Sequence, residues 1–265
     1  MPGATTRSFV LLPGAGSDSW YWHRVAPLLR GHEVVPVDLP YTDPGADQYA
    51  YADVVVAACR DLARPPTLVA QSMSAFTAAI VAERMPVHAL VLVAPMIPAP
   101  GESPGQWWSA VGQAEAKRAQ DVADGRDPDA PLDPRALFFH DVPDDVVDEA
   151  FAHEQPDMAE SAFEPAWRAQ RWPDVPVRVI AGRHDRLFPL PLIERLAHER
   201  VGGGAGSDRH RPPAGPRPPG RTGVAAAAGM ICPGRYRFPL RDLPFDVDSR
   251  CPPVNCAAAA AGMGS

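Results

Sequence analysis

Residues 67–76 read TLVAQSMSAF, and this stretch decides the fold. Thr67–Ala70 is a short apolar run with strand character, and Ser74–Arg84 (SAFTAAIVAER) has strongly helical composition. Only Gln71, Ser72 and Met73 separate them. A serine on so sharp a strand-to-helix turn is in the arrangement that presents a nucleophile. The turn is strained and requires small residues on either side of the serine. Here they are Ala70 and Ser74, where glycine is usual. Ser72 would also stand at a helix N-terminus, where free N–H groups and the helix dipole favour a developing oxyanion. The Met73 N–H is one candidate oxyanion donor. The second is the Ala15 N–H, in the Gly14-Ala15-Gly16 loop after the first strand. The competing reading of Ser72 is a simple helix cap.

The flanking segments repeat one pattern. Ser8–Leu12, Val34–Val37, Thr67–Ala70, His88–Ala94 and Val175–Ala181 are short apolar runs. Helical patterns over Trp20–Leu29, Tyr49–Leu62, Ser74–Arg84 and Leu190–Arg200 separate or follow them, the first capped by Ser17 or Asp18. Continuous apolar strands alternating with helices predict an α/β fold: a mostly parallel sheet with helices on both faces. Between the fourth and fifth strands, Pro95–Asp174 holds helical pieces at Trp107–Asp124, Pro143–Glu154 and Glu160–Arg171, broken by proline. An insertion of that length is expected to be a helical lid, over about 96–172.

The 265 residues are 46% hydrophobic, 22% charged and carry a net charge of −7. A globular body is expected at 1–202. The acidic balance argues against nucleic acid. The absence of an eighteen-residue apolar run argues against a membrane span, and the short apolar stretch near the N-terminus does not make a secretory signal. The expected compartment is cytoplasmic. Residues 203–265 differ in kind: they are rich in Pro, Gly and Arg, and carry three of the four cysteines, Cys232, Cys251 and Cys256. Such a segment reads as a disordered tail. The cysteine spacing fits no zinc pattern, and free thiols are expected.

A nucleophilic serine needs a base, and the base needs an orienting carboxylate. GRHDRLFP (182–189) follows the fifth strand, at the sheet edge where sites of open parallel sheets form, and Asp185 is the candidate carboxylate. His184, its neighbour in sequence, is expected to point elsewhere.

FVLLPGAGSDSWYWHRVAPLL (9–29), LVAQSMSAF (68–76) and VRVIAGRHDRLFP (177–189) together resemble the α/β-hydrolase superfamily. The resemblance is narrowest to small lidded esterases and lyases related to plant methyl-ester hydrolases and hydroxynitrile lyases. It spans roughly residues 8–201; the C-terminal quarter does not match. It implies a Ser-His-Asp triad without cofactor or metal, and a His on a loop after a last strand, some 25–30 residues beyond the acid. Two departures stand out. Pro13 occupies the place where relatives commonly carry His. In the expected histidine window only His210 appears, flanked by arginines with no strand before it, so the last strand and helix are expected to be missing. Reading 203–224 one base forward is compatible with V-E-P-D-R-I-A-T-G-H-L-P, a strand and a G-H-L-P loop; a frameshifted segment is one account of the tail, and a genuine tail is the other.

Apolar bulk and the resemblance together nominate Trp20, Trp22, Phe76, Met96, Trp107 and Trp108 for a substrate pocket. Plain packing is the competing role for each. The expected function is a serine hydrolase of a small, largely apolar carboxylic ester. The alternatives are a cofactor-free lyase using the same triad, or a non-enzymatic small-molecule binder on the same fold.

Overall fold

The computed structural model describes residues 6–201 and the backbone of 222–226. Six strands form one sheet, in the order β2-β1-β3-β4-β5-β6, and every neighbouring pair is parallel. They are β1 (Ser8–Leu12), β2 (Glu33–Pro36), β3 (Thr67–Gln71), β4 (Ala89–Val93), β5 (Val177–Ala181) and β6 (Thr222–Ala226). β1 is buried along its whole length, and β3 and β4 at four positions of five, which is why these strands read as unbroken apolar runs. The edge strand β2 mixes Glu33 and Pro36 with half-buried valines.

Alternate residues of the strands feed two cores. Val10, Leu12, Leu68, Ala70, Leu90 and Leu92 pack on one face. They meet the helices α1 (Gln48–Ala58), α2 (Ser74–Arg84) and α7 (Leu190–Leu196). Phe9, Leu11, Val69, Val91, Val93 and Ile180 pack on the other face, against Tyr21, Trp22, Val25 and Leu29. The segment expected as one helix over Trp20–Leu29 is instead two 3₁₀ turns, Ser19–Trp22 and Ala26–Leu28. Pro27, which cannot donate an N–H, interrupts any longer helix there. Asp18 does cap the first turn, accepting from Trp20 N at 3.0 Å. Among the described residues this second face is therefore covered by turns rather than by helices.

Residues 94–176 leave β4 and return to β5 through four helices: α3 (Pro104–Ala110), α4 (Gln113–Ala123), α5 (Pro134–Phe138) and α6 (Asp144–Ala152). The single helix expected over Trp107–Asp124 is split at Gly112, whose φ of 65° no continuous helix accommodates. The helix expected over Glu160–Arg171 shrinks to a 3₁₀ turn at Glu160–Phe163, ahead of Pro165. The base of the insertion is tied to the body by a partly buried ion pair, Arg200 with Glu102 (2.6 and 3.1 Å). Arg200 also donates to Ile97 O, and Glu102 accepts from Ala99 N. Glu102→Ala would leave the half-buried guanidinium with only a carbonyl, and a loss of about 2–3 kcal/mol in denaturant unfolding is expected.

The expectation that the sheet lacks its last strand is corrected by β6, which pairs with β5 from Val177↔Thr222 to Ala181↔Ala226. Residues 222–226, TGVAA, contain no proline and hold the β-branched Thr222 and Val224. The Pro/Gly average over the whole segment masked them. β5 is thus an inner strand and not an edge. The rest of 203–265, with Cys232, Cys251, Cys256 and any last helix, lies outside the described residues. Cys59, the cysteine of the body, is free and buried.

Candidate active site

β3 and α2 meet at Ser72, which has φ 53°, one of two non-glycine residues with positive φ among those described. Only a backbone held from several sides keeps a non-glycine residue there. Ser72 N donates to Val93 O at 3.0 Å, and Ser72 O accepts from Met96 N at 3.0 Å. The turn is thus pinned to the end of β4. The other positive-φ residue, Ala94, directly follows β4 and donates to Ile180 O.

The loop after β1 is pressed against this turn. A Cβ placed on Gly14 would collide with Gln71 Oε1 and lie 3.1 Å from Ser72 Cβ. Ser17 N donates to Gly14 O, and Gly16 has φ 66°, closing a tight turn around the buried Ala15. Among the described residues, the amides of Ala15 and Met73 have no hydrogen-bond acceptor. In Gly14→Ala the Gln71 tip can swing away but the Ser72 Cβ cannot. An about 100-fold fall in kcat, from displacement of reacting groups, is expected with only a modest fall in melting temperature.

One layer further in, the hydroxyls of Ser74 and Tyr41 both donate to Pro13 O, Tyr41 at 3.0 Å, and lie 3.2 Å apart. Sequence reasoning valued Ser74 only for being small and Pro13 only as a departure. Here Ser74 joins the helix after the serine to the loop that carries Ala15. Burial pushes the Tyr41 phenol well above its ordinary range, so it stays a neutral donor. Nothing in the spacing of Tyr41 announced this contact.

Asp185 lies in the turn after β5. Its Oδ1 accepts from Leu187 N (2.9 Å) and Phe188 N (2.8 Å). Burial of the carboxyl, offset by these two bonds and reinforced by Asp141, raises its pKa to about 6. By surface area the residue as a whole is half-buried. His184 beside it is exposed.

The described residues hold seven histidines. His23 and His153 flank Trp20, and His32 lies beside Phe9 and accepts from Arg7 N. His88, His184 and His198 are exposed. His140 sits in the insertion next to Asp141, and burial lowers its pKa. His210 lies outside the described residues and, in chain order, twelve residues before β6 begins. Residues 227–265, after β6, contain no histidine.

The six aromatic and sulfur candidates separate. Phe76, Met96 and Trp107 are buried in the first core and Trp22 in the second, on the opposite face of the sheet. Trp107 Nε1 donates to Ile97 O. Trp20 is half-buried between two imidazoles. Trp108 lines a cavity of about 460 Å³ with Leu132, Leu137, Leu187, Lys117 and Arg118. No lining residue of that cavity belongs to the serine turn or the Gly14–Gly16 loop. Among the described residues no cluster of His, Cys, Asp or Glu is arranged to hold a metal ion, and no helix is long and apolar enough to cross a membrane.

A parallel sheet with a strained serine after β3, a tight glycine loop after β1 and an aspartate after β5 defines the α/β-hydrolase architecture. The sequence profile of the alpha/beta hydrolase family matches residues 9–246, and the chain belongs to that family. The match runs past residue 201, further than the three motifs alone reach. No curated protein matches the sequence. Among solved structures, polyneuridine aldehyde esterase is similar at 17% identity and a TM-score of 0.56, covering 73% of this chain and 87% of its own. An Arabidopsis methylesterase is similar at 18% identity and a TM-score of 0.55 (73% and 85%). A pyrethroid hydrolase from Sphingobium faniae is similar at 17% and 0.53 (74% and 85%). At these identities the likeness is one of fold.

Proposed function

We propose that the chain is a serine hydrolase of small, largely apolar carboxylic esters. The observation that carries this is Ser72 held at φ 53° between β3 and α2, beside two amides, Ala15 N–H and Met73 N–H, that have no acceptor among the described residues. In this reading Ser72 Oγ attacks the ester carbonyl while a histidine takes its proton. The oxyanion rests on the two amides. The same histidine then protonates the leaving alcohol, and water releases the acid from the acyl-enzyme. Asp185 orients that histidine. The insertion, over about 96–172, acts as a lid over the site. No metal or organic cofactor takes part. The esterases among the structural neighbours support the substrate class by analogy of fold.

A fluorophosphonate probe tests the reading. It should phosphonylate Ser72, identified by mass spectrometry of the labelled peptide. An unlabelled, folded protein would leave the binder in its place, a reading favoured by the lack of a histidine after β6. Product analysis with a small apolar ester separates hydrolase from lyase, since only hydrolysis releases an acid together with an alcohol.

A further inference from the structure

The loop that carries Ala15 continues into a short segment gripped by the insertion. Asp18 is its pivot. Its Oδ1 accepts from Trp20 N at 3.0 Å, and both carboxylate oxygens face Nε2 of His153, at 3.1 and 2.9 Å. His153 ends α6. Its ring stacks on Trp20 at 4.3 Å and 9°, and His23 stacks at 4.1 Å and 20°. Glu149, one turn earlier on α6, pairs with Arg24 and lies 3.4 Å from His23 Nε2. His23 Nδ1 meets Trp20 O at 2.7 Å, and Ser19 N donates to Asp38 at 2.6 Å. Trp20 also packs against the apolar cluster of Leu137, Phe139, Val146 and Val147 in the insertion.

These contacts link a distant segment, 135 residues away in sequence for His153 and Asp18, to the residue two positions after Gly16. Movement of α6 away from the body must break a charge-assisted bond and an aromatic sandwich, or draw the 14–18 turn with it. Between that turn and β1 stands only Pro13, which is itself fixed by Ser74 and Tyr41.

We infer that Asp18, His153 and Trp20 form a latch through which seating of the insertion positions the Ala15 amide, so that the oxyanion site is complete only when the insertion is closed. Asp18 and His153 are positioning residues that act through the backbone of 14–18. The inference rests on the serine-hydrolase reading for its catalytic consequence, and on the contacts alone for its structural one.

The test compares the parent protein with His153→Ala and His153→Gln, the latter able to donate to Asp18 without stacking. Hydrogen–deuterium exchange of the amides in 14–18 should rise roughly tenfold in His153→Ala and by less in His153→Gln, while β3 and β4 exchange as in the parent. The rate of fluorophosphonate labelling at saturating probe should fall by a similar factor in His153→Ala, with the concentration for half-saturation little changed. Unchanged exchange at 14–18, or a rise shared by the whole sheet, overturns the latch. Failure of the parent itself to label would instead overturn the hydrolase reading, and the exchange data would still decide whether the latch exists.

Discussion

Ser72→Ala abolishes ester turnover in the reading given above. The expected loss is on the order of 10⁶ in kcat when a complete triad operates, since the nucleophile, the base and the orienting carboxylate act as a unit. A chain whose base is absent or misplaced starts slower, and the ratio between parent and variant shrinks accordingly. The fold should survive, because the bonds that pin the turn run through the backbone of Ser72, to Val93 O and from Met96 N, and not through its hydroxyl. Alanine keeps the φ of 53° just as strained, so the melting temperature should hardly move. Steady-state rates with a small apolar ester, measured beside a thermal melt, read both effects. Equal turnover well above background in the two proteins would remove Ser72 from the mechanism.

Asp185→Asn should cost activity and add stability. An asparagine oxygen can still accept from Leu187 N and Phe188 N, so the turn keeps its shape. In a complete triad it would no longer hold the histidine in the working tautomer, for which a loss of roughly 10⁴ in kcat is expected; in a chain without a well-placed histidine the loss is much smaller. The folded carboxyl titrates near 6, against an ordinary 3.8. Between those values the folded state holds a proton that the unfolded state has released. Stability is therefore greater at low pH and declines as the pH rises through this window, by up to about 3 kcal/mol above pH 6. Asparagine removes that penalty. The variant should melt several degrees higher than the parent at pH 8 and nearly level with it at pH 4. A variant that melts lower at pH 8 would show that the ionised carboxylate is a net asset to the fold.

Much of the frame was written in local pattern. Ser74–Arg84 is a helix over the expected span because no proline or glycine interrupts it. β1 and β3 were recognisable from unbroken apolar runs, the mark of strands covered on both faces. Ser72 and Asp185 could be nominated from sequence because strand ends and the residues just after them are short-range features. What escaped was long-range or hidden by averaging. Tyr41 reaches Pro13 through folding alone, and so does His153 to Asp18. Phe76, Met96 and Trp107 showed bulk, but hydrophobicity does not separate a pocket wall from a core. α5 was missed because Pro134–Phe138 is five residues long, too short for a periodicity to register. β6 was lost in a Pro/Gly average taken over a segment many times its length.

The route of residues 94–176 has an evolutionary consequence. They leave β4 and come back as β5, and these two strands are paired neighbours, Leu90 with Val177 through Val93 with Ile180. A different helical excursion of the same span would leave every rung of the sheet in place, along with the serine turn and the Asp185 turn. Lineages built on this frame are therefore free to exchange that excursion without rebuilding the sheet from which it departs. That freedom ends at a few anchors: Ile97, Trp107 and Trp167 reach down into the shared core, and Glu102 is bound to Arg200 of the body. Divergence in substrate range should concentrate between these anchors, and any transplanted excursion will have to bring equivalents of them.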